Sequence, residues 1–142
     1  MTALDTFNAY FDAFEETYAD NQWQRIAPFF AEEMTYLTAE GTLLEGRAAA
    51  IEYLQADLDG LDRRFDDRAF DGTPDISADG DEVTMVFTVR YSKTGADDLV
   101  LSGREVATIQ DGQIQKMEDH FDAGTVARFE AWMARYGELL SG

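Results

Sequence analysis

The amino-acid sequence predicts an α+β fold in which helices cover the concave face of a curved, cone-shaped antiparallel sheet. Apolar residues recur at helical spacing through most of the first 61 positions, and at every second position from about residue 64 to 122. The pair Asp111-Gly112 joins two strand-like runs, and Asp-Gly in that place is a strong signal for a hairpin. Because a curled sheet encloses space on one side, the fold also predicts a central pocket.

The helical patterns come first along the chain. Residues 3–19 carry an amphipathic stripe formed by Leu4, Phe7, Tyr10, Phe11, Phe14 and Tyr18. A second, short helix is predicted from a cap at Asn21 to Phe30, and a short strand over 34–38. After the turn at Glu40-Gly41, Gly46 opens a third helix that continues to about residue 61.

The period then changes to two, which predicts four antiparallel strands. The first covers residues 64–77 and is interrupted at 71–74, and the second covers 83–91. The hairpin of residues 100–122 supplies the last two. A final helix is predicted over 125–140, as an appendage to a single domain that spans residues 1–142.

Composition excludes several classes of function. With 29 acidic and 11 basic residues the net charge is −18, which argues against nucleic-acid binding and against anionic membrane surfaces. The chain has no cysteine and a single histidine, which excludes a thiolate site and a multi-histidine metal site within one chain. We predict no metal site and no cofactor. The N-terminus lacks the pattern of a signal peptide, and no stretch has the length of a membrane helix, so we expect a cytoplasmic protein.

The register of the last hairpin decides which charged side chains share the concave face, because alternate residues of a strand point to opposite faces. A strict two-residue loop sets Arg104 opposite Asp119 and Glu105 opposite Glu118. The second of these is a like-charge pair, which destabilises a sheet.

A three-residue loop is the alternative, with Gly112 in the left-handed position. It turns Arg104 and Glu118 to the outer surface and brings Glu105 near Asp119 among apolar side chains. We favour this register because it collects the apolar residues on one face.

Two carboxyl groups in an apolar site cannot both ionise cheaply, so one keeps its proton and the pair can serve as acid and base. The predicted catalytic residues are Asp119, Glu105, Tyr36 and Tyr91, with a tyrosine as hydrogen-bond donor to a developing oxyanion. The predicted ligand-binding residues are Tyr10, Phe14, Thr38, Met85, Phe87, Met117 and Phe121. The alternative is that the carboxylates bond to tyrosine hydroxyls for purely structural reasons. His120 is predicted on the opposite face from Asp119.

Four segments resemble the nuclear transport factor 2-like superfamily, specifically its SnoaL-like branch. They are FFAEEMTYL (29–37), EGRAAAIEYL (45–54), DGDEVTMVFTVRY (79–91) and DGQIQKMEDHFD (111–122). The resemblance implies the cone-shaped fold and a homodimer. It leaves function open, because the fold hosts polyketide cyclases, ketosteroid isomerases, dehydratases, limonene-epoxide-type hydrolases and proteins with no chemistry.

The sequence matches the residue patterns of these enzymes only in part. The ketosteroid isomerase pattern has a tyrosine and an aspartate where this chain has Phe14 and Thr38. The acidic residue on the penultimate strand corresponds to Glu105. Asp119 resembles the cavity aspartate of cyclases and epoxide hydrolases, but Val106 stands where the hydrolase pattern has an aspartate two residues after arginine.

Two functions therefore remain open from the sequence. The first is a small-molecule-binding protein that acts as a cofactor-free lyase, isomerase or hydrolase on a small, apolar, cyclic substrate. The second is a non-catalytic ligand-binding or dimeric scaffold protein of the same fold. In either case we expect a homodimer formed through the convex face of Thr84, Val86, Thr88 and Arg90, which is too apolar for open solvent and too polar for a core.

Overall fold

The computed structural model describes residues 2–141 and confirms the α+β fold. The helices are α1 (Ala3–Asp20), α2 (Arg47–Gly60) and α3 (Ala123–Tyr136). The strands are β1 (Phe30–Leu37), β2 (Leu43–Glu45), β3 (Asp67–Phe70), β4 (Asp75–Asp79), β5 (Glu82–Ser92), β6 (Leu99–Gln110) and β7 (Gln113–Phe121). Short 3-10 turns lie at Trp23–Arg25, Ala27–Phe29, Asp62–Arg64 and Gly137–Leu140. No helix within residues 2–141 is long and apolar enough to cross a membrane.

The strands form one curved sheet in the order β2-β1-β7-β6-β5-β3, and β4 pairs with the remaining end of β5. The prediction that residues 64–122 form one curved antiparallel sheet is confirmed for β3–β7, but the sheet extends further. Strands β1 and β2 belong to the same sheet, and β1 runs parallel to β7. A long crossover separates these two strands in sequence, which is what a parallel pair requires.

The helix predicted from Asn21 to Phe30 is replaced by two 3-10 turns. Pro28 lies in the second of them, where it has no N–H to donate to a continuing helix. The starts of α1 and α2 agree with the sequence patterns, and α3 begins two residues before its predicted start. Thr2 and Asp5 form a reciprocal capping box at the start of α1, and Gly46, with φ of 95°, precedes α2.

Two apolar clusters hold the helices against the sheet. The larger one joins α1, α2 and β1 to the inner faces of β5, β6 and β7, and its fully buried members include Phe7, Ile26, Phe30, Met34, Val83, Ile114 and Met117. The smaller one surrounds Trp132 of α3, whose indole N–H donates to the Asp97 carbonyl at 2.7 Å. The C-terminal helix, predicted as an appendage, thus builds part of the interior wall.

The β6–β7 turn has two residues, so the predicted three-residue loop is wrong. Asp111 and Gly112 have φ of 54° and 73°, which is the type I′ geometry of a two-residue hairpin turn. The hairpin starts with Gln110 opposite Gln113.

A β-bulge at Gln115 then shifts the register by one residue. Beyond it Glu105 lies directly opposite Asp119, and Arg104 lies opposite His120. The predicted Arg104–Glu118 pairing is therefore wrong, and the two carboxyl groups still share the concave face. In a regular strand, residues three positions apart point to opposite faces of the sheet. The bulge lets Ile114 and Met117, which are three positions apart, both be fully buried on the same face.

Gly103, which pairs with Phe121 two positions along the ladder from Glu105 and Asp119, allows β6 and β7 to approach each other closely. A Cβ atom added to Gly103 would clash with the His120 carbonyl oxygen and lie 3.0 Å from the Phe121 Cα atom. Both neighbours are backbone, so neither can move aside without distorting the strand. Only glycine fits here.

We predict that Gly103→Ala lowers the free energy of unfolding by about 1–3 kcal/mol, as overpacking does in other cores. Urea denaturation measures it. Gly60→Ala is the matched control, because nothing lies within 4 Å of a Cβ at that helical position and alanine favours the helix. Equal stabilities of Gly103→Ala and wild type would contradict the proposed close approach.

Candidate functional site

The space between sheet and helices consists of three adjoining chambers that share Asp119. The inner chamber, about 150 Å³, is lined by Tyr10, Phe11, Phe14, Glu15, Tyr36, Leu54, Asp57, Leu58, Asp62, Arg68, Phe70, Met85, Glu105 and Asp119. The side chamber, also about 150 Å³, is lined by Arg68, Phe70, Met85, Phe87, Val89, Tyr91, Leu101, Glu105, Asp119 and Phe121. The outer chamber, about 350 Å³, is lined by Tyr36, Ala39, Glu40, Tyr53, Asp57, Leu61, Asp62, Tyr91, Leu101, Asp119, Phe121, Val126, Phe129 and Glu130.

Glu105 and Asp119 meet across the β6–β7 ladder at the centre of these chambers. They are direct register partners, and a hydrogen bond links their carboxyl groups. Tyr36 approaches from β1, because its register partner Met117 is two residues before Asp119 on β7. Its hydroxyl donates a hydrogen bond to Asp119 Oδ2.

The two carboxyl groups differ in their hydrogen bonds. Burial, followed by the negative charge of Asp119 and by the hydrogen bond between the two groups, raises the pKa of Glu105 well above its usual value. Burial also raises the pKa of Asp119, but the hydrogen bonds from Glu105 and Tyr36 oppose that rise. The pair therefore shares one proton, with the proton on Glu105 and the charge on Asp119.

Tyr10 brings a second phenol to the inner chamber. Only 3% of the residue is exposed, and its ring packs between aromatic neighbours on α1 and β1. Its hydroxyl forms no hydrogen bond with the described residues. Burial, and then the charges of Glu105 and Asp119, raise the pKa of Tyr10 well above its usual value. It is therefore a protonated hydroxyl with a free donor.

A second polar cluster lines the inner chamber, with members on α1, on β3 and in the 3-10 turn that follows α2. The Arg68 guanidinium forms ion pairs with Glu15 and with Asp62, each at 3.1 Å. The Tyr91 hydroxyl donates to Asp62 Oδ2 at 3.3 Å. Tyr91, predicted beside the carboxyl pair, thus lines the same interior but bonds to Asp62 instead.

The predicted ligand-binding residues divide into two groups. Those that line the chambers are Tyr10, Phe14, Met85, Phe87 and Phe121. Thr38 and Met117 do not line any of the three. The Thr38 hydroxyl accepts a hydrogen bond from the Thr42 N–H in a tight turn, and Met117 is fully buried in the core. His120 lies on the outer face as predicted, with Nε2 3.9 Å from Glu118.

Many of the lining residues were not predicted, and the charged residues Glu15, Asp57, Asp62 and Arg68 are among them. The sequence does carry a signal for Arg68, because it stands two positions before Phe70 and shares its face of the strand. Asp57 and Asp62 lie in an acidic stretch that reads as a solvated edge. At the mouth of the outer chamber, burial and then the charges of Asp62, Glu40 and Asp119 raise the pKa of Asp57 to about 6.

The shared proton predicts a dependence of stability on pH. The folded protein keeps a proton on Glu105 that the unfolded chain releases above its usual pKa of 4.5. Wild-type stability therefore falls as pH rises from 4.5 towards the folded-state pKa, by up to about 1.4 kcal/mol per pH unit from this group. Glu105→Gln removes that loss, and its amide still donates to Asp119. We expect the variant to gain stability relative to wild type as pH rises.

Urea denaturation across pH 4.5–8 measures this difference. The control is Glu33→Gln, which removes one negative charge from an exposed position on β1. A Glu105→Gln variant that is less stable than wild type throughout this range would contradict the shared proton and favour a purely structural pair.

Comparisons with known proteins agree with this architecture. A structure of a nuclear transport factor 2-like protein of unknown function from Burkholderia pseudomallei superposes with a TM-score of 0.68 at 16% identity, covering 90% of this chain and 97% of that one. A putative polyketide cyclase from Xanthomonas campestris superposes with a TM-score of 0.66 at 19% identity, covering 94% and 98%. The protein TerC, co-crystallised with polyporic acid, superposes with a TM-score of 0.62 at 21% identity, covering 88% and 98%.

No curated protein matches the chain. The solved structures, all at low identity, establish the fold. Family membership comes from the sequence itself, because the model of the SnoaL-like domain matches residues 7–117, which is most of the chain. The chain belongs to the SnoaL-like domain family of the nuclear transport factor 2-like superfamily.

Proposed function

We propose that the chambers bind a small, largely apolar cyclic molecule and that Glu105 and Asp119 transfer a proton on it without a cofactor. One observation carries the proposal: Glu105 and Asp119 lie opposite each other where the inner and side chambers adjoin, and Asp119 also lines the outer chamber. An acid and a base of this kind, side by side and away from bulk water, suit a proton transfer at neutral pH.

The hydrogen bonds assign a role to each group. Asp119, the charged partner, takes a proton from a carbon next to a carbonyl group. The C–H electron pair becomes a C=C bond, and the carbonyl π pair moves to the oxygen. Glu105 donates a proton to the product, and the free Tyr10 hydroxyl is placed to donate a hydrogen bond to the developing oxyanion. Such a step serves an isomerase, a lyase or a cyclase.

The names of two similar structures are consistent with this class of ligand. One is described as a putative polyketide cyclase, and TerC was crystallised with polyporic acid. The family fold supports ligand binding or cofactor-free isomerase or cyclase chemistry in general. We therefore propose a small cyclic carbonyl compound as the substrate of this chain.

We predict that the protein catalyses exchange of the α-protons of a small cyclic ketone with solvent. Wild-type protein in D₂O with 2-indanone should speed the loss of the α-CH₂ signal in proton NMR over buffer alone. Asp119→Asn should slow the catalysed exchange by about 10²-fold or more, because an amide cannot accept the proton. Glu105→Gln should slow it as well.

Glu118→Gln is the matched control, since Glu118 precedes Asp119 on β7 and faces outward. Exchange that is equally fast with wild type and Asp119→Asn would contradict a catalytic base at this position. Binding of the ketone with no exchange in wild type would instead favour a non-catalytic ligand-binding protein. Phe14 and Thr38, which replace the tyrosine and aspartate of the isomerase pattern, are the feature that favours that alternative.

We also propose a homodimer formed through the outer face of β5 and β6. Val86 is 51% exposed there, and it is flanked by Thr84 and Thr88. The Thr88 and Ser102 hydroxyls hydrogen-bond to each other at 2.9 Å, and the exposed Arg104 lies opposite Val86, so this face combines apolar and polar groups. A surface of this composition suits a self-complementary contact about a two-fold axis.

Val86→Glu is expected to convert the dimer to a monomer, because two added carboxylates would face each other near the axis. Light scattering at micromolar concentration measures the mass. Leu43→Glu is the control, since Leu43 is 57% exposed on β2, away from this face. A wild-type monomer at this concentration would contradict the proposal.

A further inference from the structure

Arg68 is the only cationic side chain that lines the three chambers within residues 2–141. It borders both the inner and the side chamber, and so do Glu105 and Asp119. Arginine is almost never fully buried unless its charge has a partner, so an arginine inside a protein of net charge −18 suggests a specific role.

The Arg68 guanidinium is held on several sides. Nη1 donates to Glu15 Oε1 at 3.1 Å, and the group lies over the ring of Tyr18 at 4.8 Å and beside the ring of Phe70 at 5.4 Å. Only 10% of the side chain is exposed. A planar cation packed between rings and a carboxylate loses little freedom when it binds another group.

Its hydrogen-bonding capacity is not used up by the protein. Nε is buried 3.1 Å from Asp62 Oδ2 but forms no hydrogen bond, so that contact is poorly aligned. Nη2 forms no hydrogen bond or ion pair with the described residues. Because Nε is enclosed against Asp62, Nη2 is the donor that a ligand in the chamber can reach, and its unused N–H groups point to an acceptor oxygen supplied by that ligand.

The charge balance restricts what that ligand can be. The acidic residues of the inner chamber, Glu15, Asp57, Asp62 and Asp119, outnumber its single cation, Arg68, even with the shared proton on Glu105. A ligand that arrives as an anion meets a net negative interior. A neutral carbonyl does not, and it can accept negative charge on its oxygen when Asp119 becomes neutral by taking the proton.

We propose that Arg68 binds the carbonyl oxygen of a neutral ligand and so selects neutral carbonyl compounds over carboxylates and hydrocarbons. This inference rests on the proposed function for the identity of the site. In the proton transfer, Asp119 gains the proton and loses its charge, and the negative charge moves to the oxygen beside Arg68. The total charge of the interior stays constant.

Binding of three probes with one ring skeleton tests the proposal: 2-indanone, indane and indane-2-carboxylate, by NMR titration. Wild type should bind 2-indanone about tenfold or more tightly than indane, as expected for a hydrogen bond to a charged group, and the carboxylate most weakly. Arg68→Met combined with Glu15→Gln, which leaves the net charge unchanged, should bind 2-indanone and indane alike.

Two further variants separate recognition from support of the fold. Arg25→Met should keep the preference for the ketone, since Arg25 pairs with two carboxylates, Glu16 and Asp20, and lines none of the three chambers. Arg68→Lys keeps the ion pairs but loses the planar fork, and should reduce the preference at least threefold even if the double variant does not fold.

No ketone preference in wild type, or a preference that survives in both Arg68 variants, would overturn the assignment. The readout is independent of catalysis. If wild type prefers the ketone through Arg68 and yet catalyses no α-proton exchange, the catalytic proposal fails and the binding role of Arg68 stands. If exchange requires Asp119 but substitution of Arg68 leaves the ketone preference unchanged, only the present inference fails.

Discussion

The interior of this protein is organised by one electrostatic constraint, the burial of two carboxyl groups opposite each other on β6 and β7. Two adjacent carboxylates that are both charged and shielded from water would strongly destabilise the folded state, so the pair holds one proton between them. Tyr36 completes the arrangement by donating to the charged partner, and it can do so because β1 runs parallel to β7 beside it. The crossover topology is therefore part of the chemistry of the site.

The register that brings the carboxyl groups together depends on local backbone features. The Asp111-Gly112 turn alone would place Glu118 opposite Glu105 and turn Asp119 to the outer face. The bulge at Gln115 reverses the parity of the rest of β7, and Gly103 lets the two strands approach where the chain leaves the sheet for α3. A single extra residue thus decides whether the interior contains an acid–base pair.

Much of the fold was predictable, and the register was not. The alternation of Val83, Met85 and Val89 identifies an inner face without any structure, and the Asp-Gly turn identifies the hairpin. The shared face of Glu105 and Asp119 was predicted correctly, but through a three-residue loop that does not exist. A bulge is hard to recognise in a sequence. Here its only sign is that the buried positions Ile114 and Met117 are three residues apart, where a regular strand would have an even spacing.

The site was less predictable because its polar groups come from segments far apart in sequence. Arg68, Asp62 and Glu15 are unremarkable charged residues on a strand, a 3-10 turn and a helix until the fold brings them together. Their cluster and the carboxyl pair both line the inner chamber, the first with the guanidinium of Arg68 and the second with the shared proton. Neither group alone would favour a proton transfer, since abstraction by Asp119 creates negative charge on the ligand, which the Tyr10 hydroxyl and the Arg68 guanidinium can stabilise. We infer that the placement of both groups on one chamber, more than either group itself, is what the fold provides for chemistry.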